Sequence, residues 1–145
     1  MQDDLPSAAV GHLVLKVSDL ERSYRFYSDL GLRPFAKIPE QGVAIIELRG
    51  GTHLILLDQN TAGNDQMTES RVGQLAHRFQ EQLDFVIGGK SRGDLASFRD
   101  SLLQKSIAAD AIAEAELFGH HYFRLTDPDG HGITFYTSHV GRDPV

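Results

Sequence analysis

The stretch GHLVLKVSDLERSYRFYSDLGLRPF, residues 11–35, indicates how the fold begins. At residues 10–17 apolar and polar side chains alternate, which is typical of a strand with one buried face. Ser18 and Asp19 are suitable N-caps for a following helix, and Gly31 can end that helix in the left-handed conformation. The apolar positions between them recur at helical spacing: Leu20, Tyr24, Tyr27 and Leu30. The stretch therefore predicts a strand followed at once by an amphipathic helix.

Three further strands are predicted after this helix, at residues 32–38, 43–48 and 52–57. Turn signals separate them, at residues 39–42 and at the Gly50-Gly51 pair. The first half of the chain therefore has the predicted order βαβββ.

A polar connection at residues 58–81 leads into a second half with the same order of elements. Residues 83–87 are a predicted strand, and Asp94 is a suitable cap for a helix. The apolar face of that helix consists of Leu95, Phe98 and Leu102. We take the start of this strand as the start of a second repeat.

The end of the second half is predicted to be strands as well. Residues 107–116 are rich in alanine, which suits a helix, although their position in the repeat favours a strand. Residues 117–125 and 132–137 are clearer strands, joined by the tight-turn sequence Asp-Pro-Asp-Gly at residues 127–130.

Together these elements predict an α+β fold with an internal repeat. The two βαβββ repeats cover about residues 10–58 and 82–138, and their curved mixed sheets are expected to surround a cavity. With 145 residues, of which 41% are hydrophobic, the chain can form one core, so we predict a single domain over residues 1–145.

Composition excludes several classes of partner and chemistry. The net charge is -6 and no basic run occurs, so nucleic acid and anionic membranes are not expected partners. The chain has no cysteine, so a thiolate nucleophile and a sulfur-bound zinc site are excluded. No apolar run approaches the roughly 20 residues that cross a bilayer, and the acidic first residues differ from a signal peptide. A cytoplasmic location is the expectation.

A second stretch, HHYFRLTDPDGHGITFYTSH at residues 120–139, carries a family resemblance together with residues 11–35. The chain resembles the glyoxalase, bleomycin-resistance and extradiol-dioxygenase superfamily, also called vicinal oxygen chelate. The resemblance covers nearly the whole chain. It implies a cavity for a small molecule and, because similar proteins pair their repeats or sheets across two chains, a homodimer.

The resemblance also implies where a metal ion would bind. Carried over residue by residue, the first-strand ligand positions are His12 and Gln82. The last-strand positions fall on Thr134 in the second repeat and on Leu56, or Ile55 with a one-residue slip, in the first. None of these last-strand side chains is a carboxylate, so the set would hold a divalent ion such as Fe, Mn, Zn or Ni only weakly.

Strand alternation predicts which polar side chains share the cavity. His120, Tyr122 and Arg124 fall on one side of their strand, and neighbouring His121 falls on the other. The resemblance places the first side against substrate, together with Asp84, Thr134 and Tyr136. We assign His12, Tyr122 and Arg124 to catalysis, as base or partial ligand, hydrogen-bond donor and anion clamp. The substrate-binding set is His120, Asp84, Thr134 and Tyr136.

Simpler interpretations exist for several of these residues. His12 could be an ordinary hydrogen-bonded histidine at a strand end. Arg124 could pair with Glu47 or Asp127 as part of the scaffold. His131, within the Asp-Pro-Asp-Gly-His turn, is expected to be structural. The histidines that we leave unassigned are His53, His77 and His139.

Three functions fit this sequence. The first is an enzyme acting on a small oxygenated or aromatic molecule, with a degenerate metal site. The second is a non-catalytic protein that binds and sequesters a small molecule, as bleomycin-resistance members of the superfamily do, and the weak ligand set favours it. The third is a degenerate partner or regulatory subunit, for which the sequence gives no separate sign. The fold alone does not choose among them.

Overall fold

The computed structural model divides into two compact units, Met1–Glu69 and Ser70–Val145. Each unit contains one βαβββ repeat with its own four-stranded mixed sheet, so the predicted fold class is confirmed. The prediction of a single domain stays a prediction. No helix in the described part of the chain is long and apolar enough to cross a membrane. The structure describes residues 10–61, 82–87, 91–115 and 120–137.

The first unit begins with the predicted strand and helix. Its elements are β1 (His12–Val17), α1 (Leu20–Asp29), β2 (Arg33–Ile38), β3 (Val43–Glu47) and β4 (His53–Asp58). The sheet order is β1-β4-β3-β2, with β1 parallel to β4 and the other neighbours antiparallel. The first and last strands of the repeat therefore lie side by side.

Helix α1 forms where the sequence indicates. The Asp19 side chain accepts the backbone N–H of Arg22 at 3.0 Å, and Gly31 follows the helix with φ of 93°. Tyr27 and Leu30 are fully buried against the sheet. The sheet contributes the side chains that point towards the helix: Leu15, Val17, Ala44, Ile46, Leu54 and Leu56.

The second unit repeats this topology. Its elements are β5 (Gln82–Val86), α2 (Arg92–Gln104), β6 (Ala113–Ala115), β7 (His120–Thr126) and β8 (Gly132–Tyr136). The sheet order is β5-β8-β7-β6, with β5 parallel to β8 and the other neighbours antiparallel. Each strand and helix therefore has a counterpart in the first unit.

An aromatic cluster forms the core between α2 and its sheet. The Phe98 ring on the helix lies 4.9 Å from the ring of Phe135 and 6.0 Å from that of Phe123, centroid to centroid. Phe85 stacks on the other side of Phe135 at 5.5 Å. Because aromatic side chains bury large apolar areas, these four fix which face of the sheet is core.

Two local predictions in the second unit are corrected. The N-cap of α2 is Ser91, not Asp94, because the two side chains form a capping box in which Asp94 occupies the third helical position. Of the predicted segment 107–116, residues 107–115 are described; among these only Ala113–Ala115 form a strand, and neither helix nor strand forms at residues 107–112. Residues 117–119 of the predicted strand at 117–125, and residues 62–81 of the predicted connection, lie outside the described residues.

A buried carboxylate organises the turn between β7 and β8. Asp127 is 4% exposed, and its Oδ1 accepts the backbone N–H groups of Asp129 and His131, both at 2.9 Å. Its Oδ2 lies 2.7 Å from Nδ1 of His131, which gives that histidine the expected structural role. Gly130 has φ of 89°, as the predicted tight turn requires. The turn therefore holds β7 and β8 in register.

Candidate ligand site on the second sheet

Each sheet has one face against its helix and one face away from it, which we call the distal face. On the distal face of the second sheet, Asp84 pairs in register with Thr134, and Thr134 pairs with Arg124. We call these three residues the polar row. Side chains opposite each other on neighbouring strands lie close enough to contact one common ligand.

A cavity of about 380 Å³ lies at this part of the second unit. Arg124 and Thr134 line it, and Asp110 stands on its wall. The wall is fixed by hydrogen bonds, because Arg99 donates from Nε to the carbonyl oxygen of Asp110 at 2.6 Å and from Nη2 to that of Ala109 at 3.0 Å. The backbone N–H of Asp110 donates to the Arg124 carbonyl oxygen at 2.8 Å. The cavity is therefore preformed on one side of the row.

The Arg124 guanidinium is available to a ligand. The proposed scaffold pairings do not occur in the described part of the chain, because Glu47 lies 3.6 Å from Arg33 and Asp127 pairs with His131. Among the described residues no carboxylate forms an ion pair with Arg124. Its guanidinium lies 5.4 Å from the centroid of the Tyr122 ring, which holds the planar group over an aromatic face. An exposed, oriented guanidinium is suited to bidentate binding of a carboxylate or phosphate.

Beyond the polar row, the distal face of the second sheet carries aromatic and imidazole rings. Tyr122 pairs in register with Tyr136, which is the counterpart of Val86 on β5. The His120 ring lies 4.9 Å from the Tyr136 ring. His121 is the next residue, so its side chain points to the other side of β7. The second sheet thus brings together six of the residues assigned from sequence, Asp84, His120, Tyr122, Arg124, Thr134 and Tyr136.

The two assigned metal ligands lie in different units. His12 is exposed on the distal face of β1. Gln82 begins β5 and pairs with Gly132, and its side chain lies outside the described part of the structure.

The family resemblance implies a metal-binding carboxylate on the last strand of each repeat. The register of the strands identifies which residue of this chain occupies each of those positions. In the second sheet Asp84, two residues into β5, pairs with Thr134; in the first sheet Val14, two residues into β1, pairs with Ile55. Ile55 is therefore the counterpart of Thr134. Leu56, the other option from sequence, is fully buried on the helix side. The strand register therefore supports the alignment with the one-residue slip, which selects Ile55 rather than Leu56.

The side chains at these positions do not fit the metal site that the resemblance implies. Isoleucine offers no donor, and a threonine hydroxyl is a poor ligand for a divalent ion. In the ranges that the structure describes, no group of three or more histidine, cysteine, aspartate or glutamate residues is placed to hold a metal ion. We derive no chemical step through a metal at this site.

Sequence reasoning missed two features near the distal faces. Asp110, on the cavity wall, lies in a segment without regular structure, so no periodicity marked it. His53 pairs in register with His12. A signal for that pairing exists, because His-Leu-Val-Leu at the start of β1 and His-Leu-Ile-Leu at the start of β4 are nearly the same tetrapeptide.

Comparisons with known proteins agree with this architecture. The family model described as Glyoxalase/Bleomycin resistance protein/Dioxygenase superfamily matches residues 9–135. A comparison with curated protein sequences gave no significant match.

Several solved structures share the fold at low sequence identity. A lactoylglutathione lyase from Agrobacterium tumefaciens has a TM-score of 0.70 at 20% identity, over 96% of this chain and 100% of that one. A glyoxalase/bleomycin resistance protein/dioxygenase from Nocardioides has a TM-score of 0.68 at 20% identity, over 97% and 90%. An oxidase, ChaP-H2, has a TM-score of 0.64 at 17% identity, over 94% and 98%. At these identities the likeness shows the fold and leaves the reaction open.

Proposed function

Because the chain belongs to the glyoxalase/bleomycin resistance protein/dioxygenase superfamily, we propose that it is an enzyme acting on a small, oxygenated or aromatic anion. The observation that carries this proposal is the cavity of about 380 Å³ lined by Arg124 and Thr134. A volume of this size suits a compact small molecule.

The side chains of the distal face divide into roles by their chemistry. Arg124 binds the anionic group of the substrate, since no described carboxylate neutralises it and Tyr122 orients it. Thr134 and Tyr136 donate hydrogen bonds to substrate oxygens. Asp84 and His120 belong to the substrate-binding set, and both can carry a proton.

We propose His12 as the general base. It is the exposed imidazole at the start of β1, and neutral imidazole is the usual proton acceptor near neutral pH. Tyr122 supplies the hydrogen-bond donor that stabilises negative charge developing on the substrate.

A second function, binding without catalysis, is favoured by one observation. The two positions that would hold a metal-binding carboxylate are Ile55 and Thr134. A protein with the same Arg124 clamp and no metal chemistry would sequester its ligand unchanged. Both functions require the cavity, and they differ in what happens to the bound molecule.

Binding can be tested with small anionic probes. We expect salicylate, which joins an aromatic ring to a carboxylate and a phenol, to bind more tightly than catechol, which lacks the carboxylate. Arg124→Gln should weaken salicylate binding by roughly tenfold to a hundredfold, the range expected for a lost hydrogen bond to a charged group. Isothermal titration of both proteins makes the measurement.

The matched control is Arg33→Gln, which removes an exposed arginine from the first sheet. It should leave salicylate affinity within about twofold of the wild type, because most substitutions of exposed surface residues have small effects. Equal losses in the two variants would show a general charge effect and contradict the assignment of Arg124.

Chemistry can be separated from sequestration by recovering the bound molecules. Salicylate, catechol and a glutathione hemithioacetal are incubated with the protein in the absence and presence of Fe(II), Mn(II), Zn(II) or Ni(II), and the products are identified by mass spectrometry. Conversion of a probe that is lost in His12→Ala supports the enzyme. Return of every probe unchanged, with binding intact, supports the binder.

We also propose that the protein works as a cytoplasmic homodimer. Phe35 and Val86 are 59% and 41% exposed, and apolar side chains of this kind are suited to a self-complementary contact. Light scattering at micromolar concentration should return twice the mass of the 16.0 kDa chain. A mass near that of one chain, unchanged on dilution, would contradict the dimer.

A further inference from the structure

Two residues of opposite charge line the cavity of the second unit. Asp110 stands on its wall, and Arg124 lies on the neighbouring strand. The backbone N–H of Asp110 donates to the carbonyl oxygen of Arg124 at 2.8 Å, so the two residues belong to adjacent backbone segments. Side chains that start from adjacent segments are about 4.5–5.5 Å apart at their first carbon atoms. One small molecule can therefore contact both of them.

The carboxylate is the polar group of Asp110 that remains for a ligand. The backbone N–H of Asp110 is bonded to Arg124, and its carbonyl oxygen accepts a hydrogen bond from Nε of Arg99 at 2.6 Å. Asp110 is exposed. In the parts of the chain that the structure describes, no arginine, lysine or histidine forms an ion pair with its carboxylate. The cavity wall therefore carries an uncompensated negative charge.

The two charges do not neutralise each other, although the residues are neighbours. The Arg124 guanidinium lies 5.4 Å from the centroid of the Tyr122 ring, on its own strand. Arg99 anchors the segment of Asp110 to α2, because it also donates to the carbonyl oxygen of Ala109 at 3.0 Å. A guanidinium and a carboxylate that are held separately on one cavity are complementary to a molecule that carries both charges.

We propose that Asp110 determines specificity at this site and that the ligand is a small zwitterion, a compact aminocarboxylate. Its carboxylate binds Arg124, and its protonated amine binds the carboxylate of Asp110. A simple anion bound at Arg124 would leave the like charge of Asp110 unpaired beside it, which disfavours that anion relative to the zwitterion. This inference rests on the proposed function, because it uses the same cavity and the same guanidinium, and it narrows the class of ligand.

Two probes of nearly the same shape test the inference on the wild-type protein. 3-(Aminomethyl)benzoate is a zwitterion, and 3-ethylbenzoate is an anion with a methyl group in place of the ammonium group. Isothermal titration should give an affinity for the zwitterion that is roughly tenfold higher, the effect of one hydrogen bond to a charged group. This comparison needs no substitution, so it does not depend on the folding of a variant.

Substitutions then assign the preference to one side chain. Asp110→Asn should reduce it to within about twofold, because the change removes the charge and keeps the size of the side chain. The same variant should bind 3-ethylbenzoate as tightly as the wild type or slightly more tightly, since a negative charge near the bound anion is lost. The matched control is Asp100→Asn, which removes an exposed carboxylate of α2 that does not line the cavity and should keep the preference. Arg124→Gln should weaken the binding of both probes.

The possible failures are distinguishable. Equal affinities of the two probes for the wild type, or a preference that persists in Asp110→Asn, would overturn the inference and leave the proposed function standing. An equal loss of preference in Asp100→Asn would show a general charge effect and would also overturn it. Binding of neither probe would contradict the proposed function, and this inference with it.

Discussion

The middle rows of the two distal faces occupy the same place in the repeat and have opposite chemistry. In the second sheet the row is Asp84, Thr134 and Arg124, and in the first it is Val14, Ile55 and Ile45. Strand order and strand direction are the same in both sheets, and the first and last strands of each repeat pair in the same register. The comparison shows that the topology is set by the core faces, because the distal faces can differ completely without changing it.

The first sheet has its own row of polar side chains, which crosses β1 and β4 two residues before the middle row. His12, His53, Glu47 and Arg33 are neighbours in register across all four strands. An aliphatic middle row offers only apolar contact, so it does not provide the charged and polar side chains that the polar row of the second sheet provides. The proposed roles therefore divide between the repeats, with anion binding on the second and the general base, His12, on the first.

The largest expected difference between the repeats lies in their last turns. Asp127→Ala should destabilise the protein by about 2–4 kcal/mol, because two partly buried backbone N–H groups and the side chain of His131 lose their acceptor. The corresponding turn of the first repeat has no such carboxylate, and Arg49→Ala there should cost less than about 0.5 kcal/mol. Urea unfolding of both variants measures the difference. Equal free energies of unfolding would show that the two turns are held in the same way.

Backbone conformation should give a smaller effect. Gly130→Val should cost about 1–3 kcal/mol, since φ at that position is 89° and no neighbouring atom lies within 4 Å of a new Cβ. The cost is therefore strain rather than a clash. Gly11→Val, in the first repeat, meets the same open space without a positive φ and should be nearly neutral. A melting temperature unchanged in Gly130→Val would count against the turn conformation.

The missing carboxylate should give the smallest effect of the three. Thr134→Glu should strengthen Mn(II) binding by roughly tenfold, because it adds a negative charge at a sheltered position. Ile55→Glu is the matched change in the first sheet and should also give a gain. For Ile55→Glu, whose sheet also contains His12, His12→Ala should abolish the gain, as isothermal titration would show. Mn(II) affinity that is unchanged in Thr134→Glu would contradict the assignment of that position to the missing carboxylate.

Much of the architecture could be predicted from sequence because it depends on local signals. Asp19 and Gly31 delimit α1, and the alternation in β7 separates Arg124 from Leu125. Ser91 was missed because Ser91 and Asp94 are both good caps, and only the reciprocal hydrogen bonds distinguish the N-cap from the third helical residue.

Cross-strand register was the feature that the sequence could not decide. A shift of one residue exchanges the two faces of a strand, and the choice between Leu56 and Ile55 was a choice of this kind. His53 stayed unassigned for the same reason, since its significance depends on pairing with His12. Asp110 lines the cavity from a segment without regular secondary structure, so neither helical nor strand periodicity could identify it.

Chemical-shift mapping tests the central claim most directly, because it asks which distal face binds the anion. Isotope-labelled protein is titrated with salicylate, and amide shifts are followed on both sheets. We predict that the largest shifts occur at Asp84, Arg124 and Thr134, that Val14 and Ile55 shift little, and that Arg124→Gln abolishes the response. Large shifts confined to the first sheet, or a response that persists in Arg124→Gln, would contradict the division of chemistry between the two repeats.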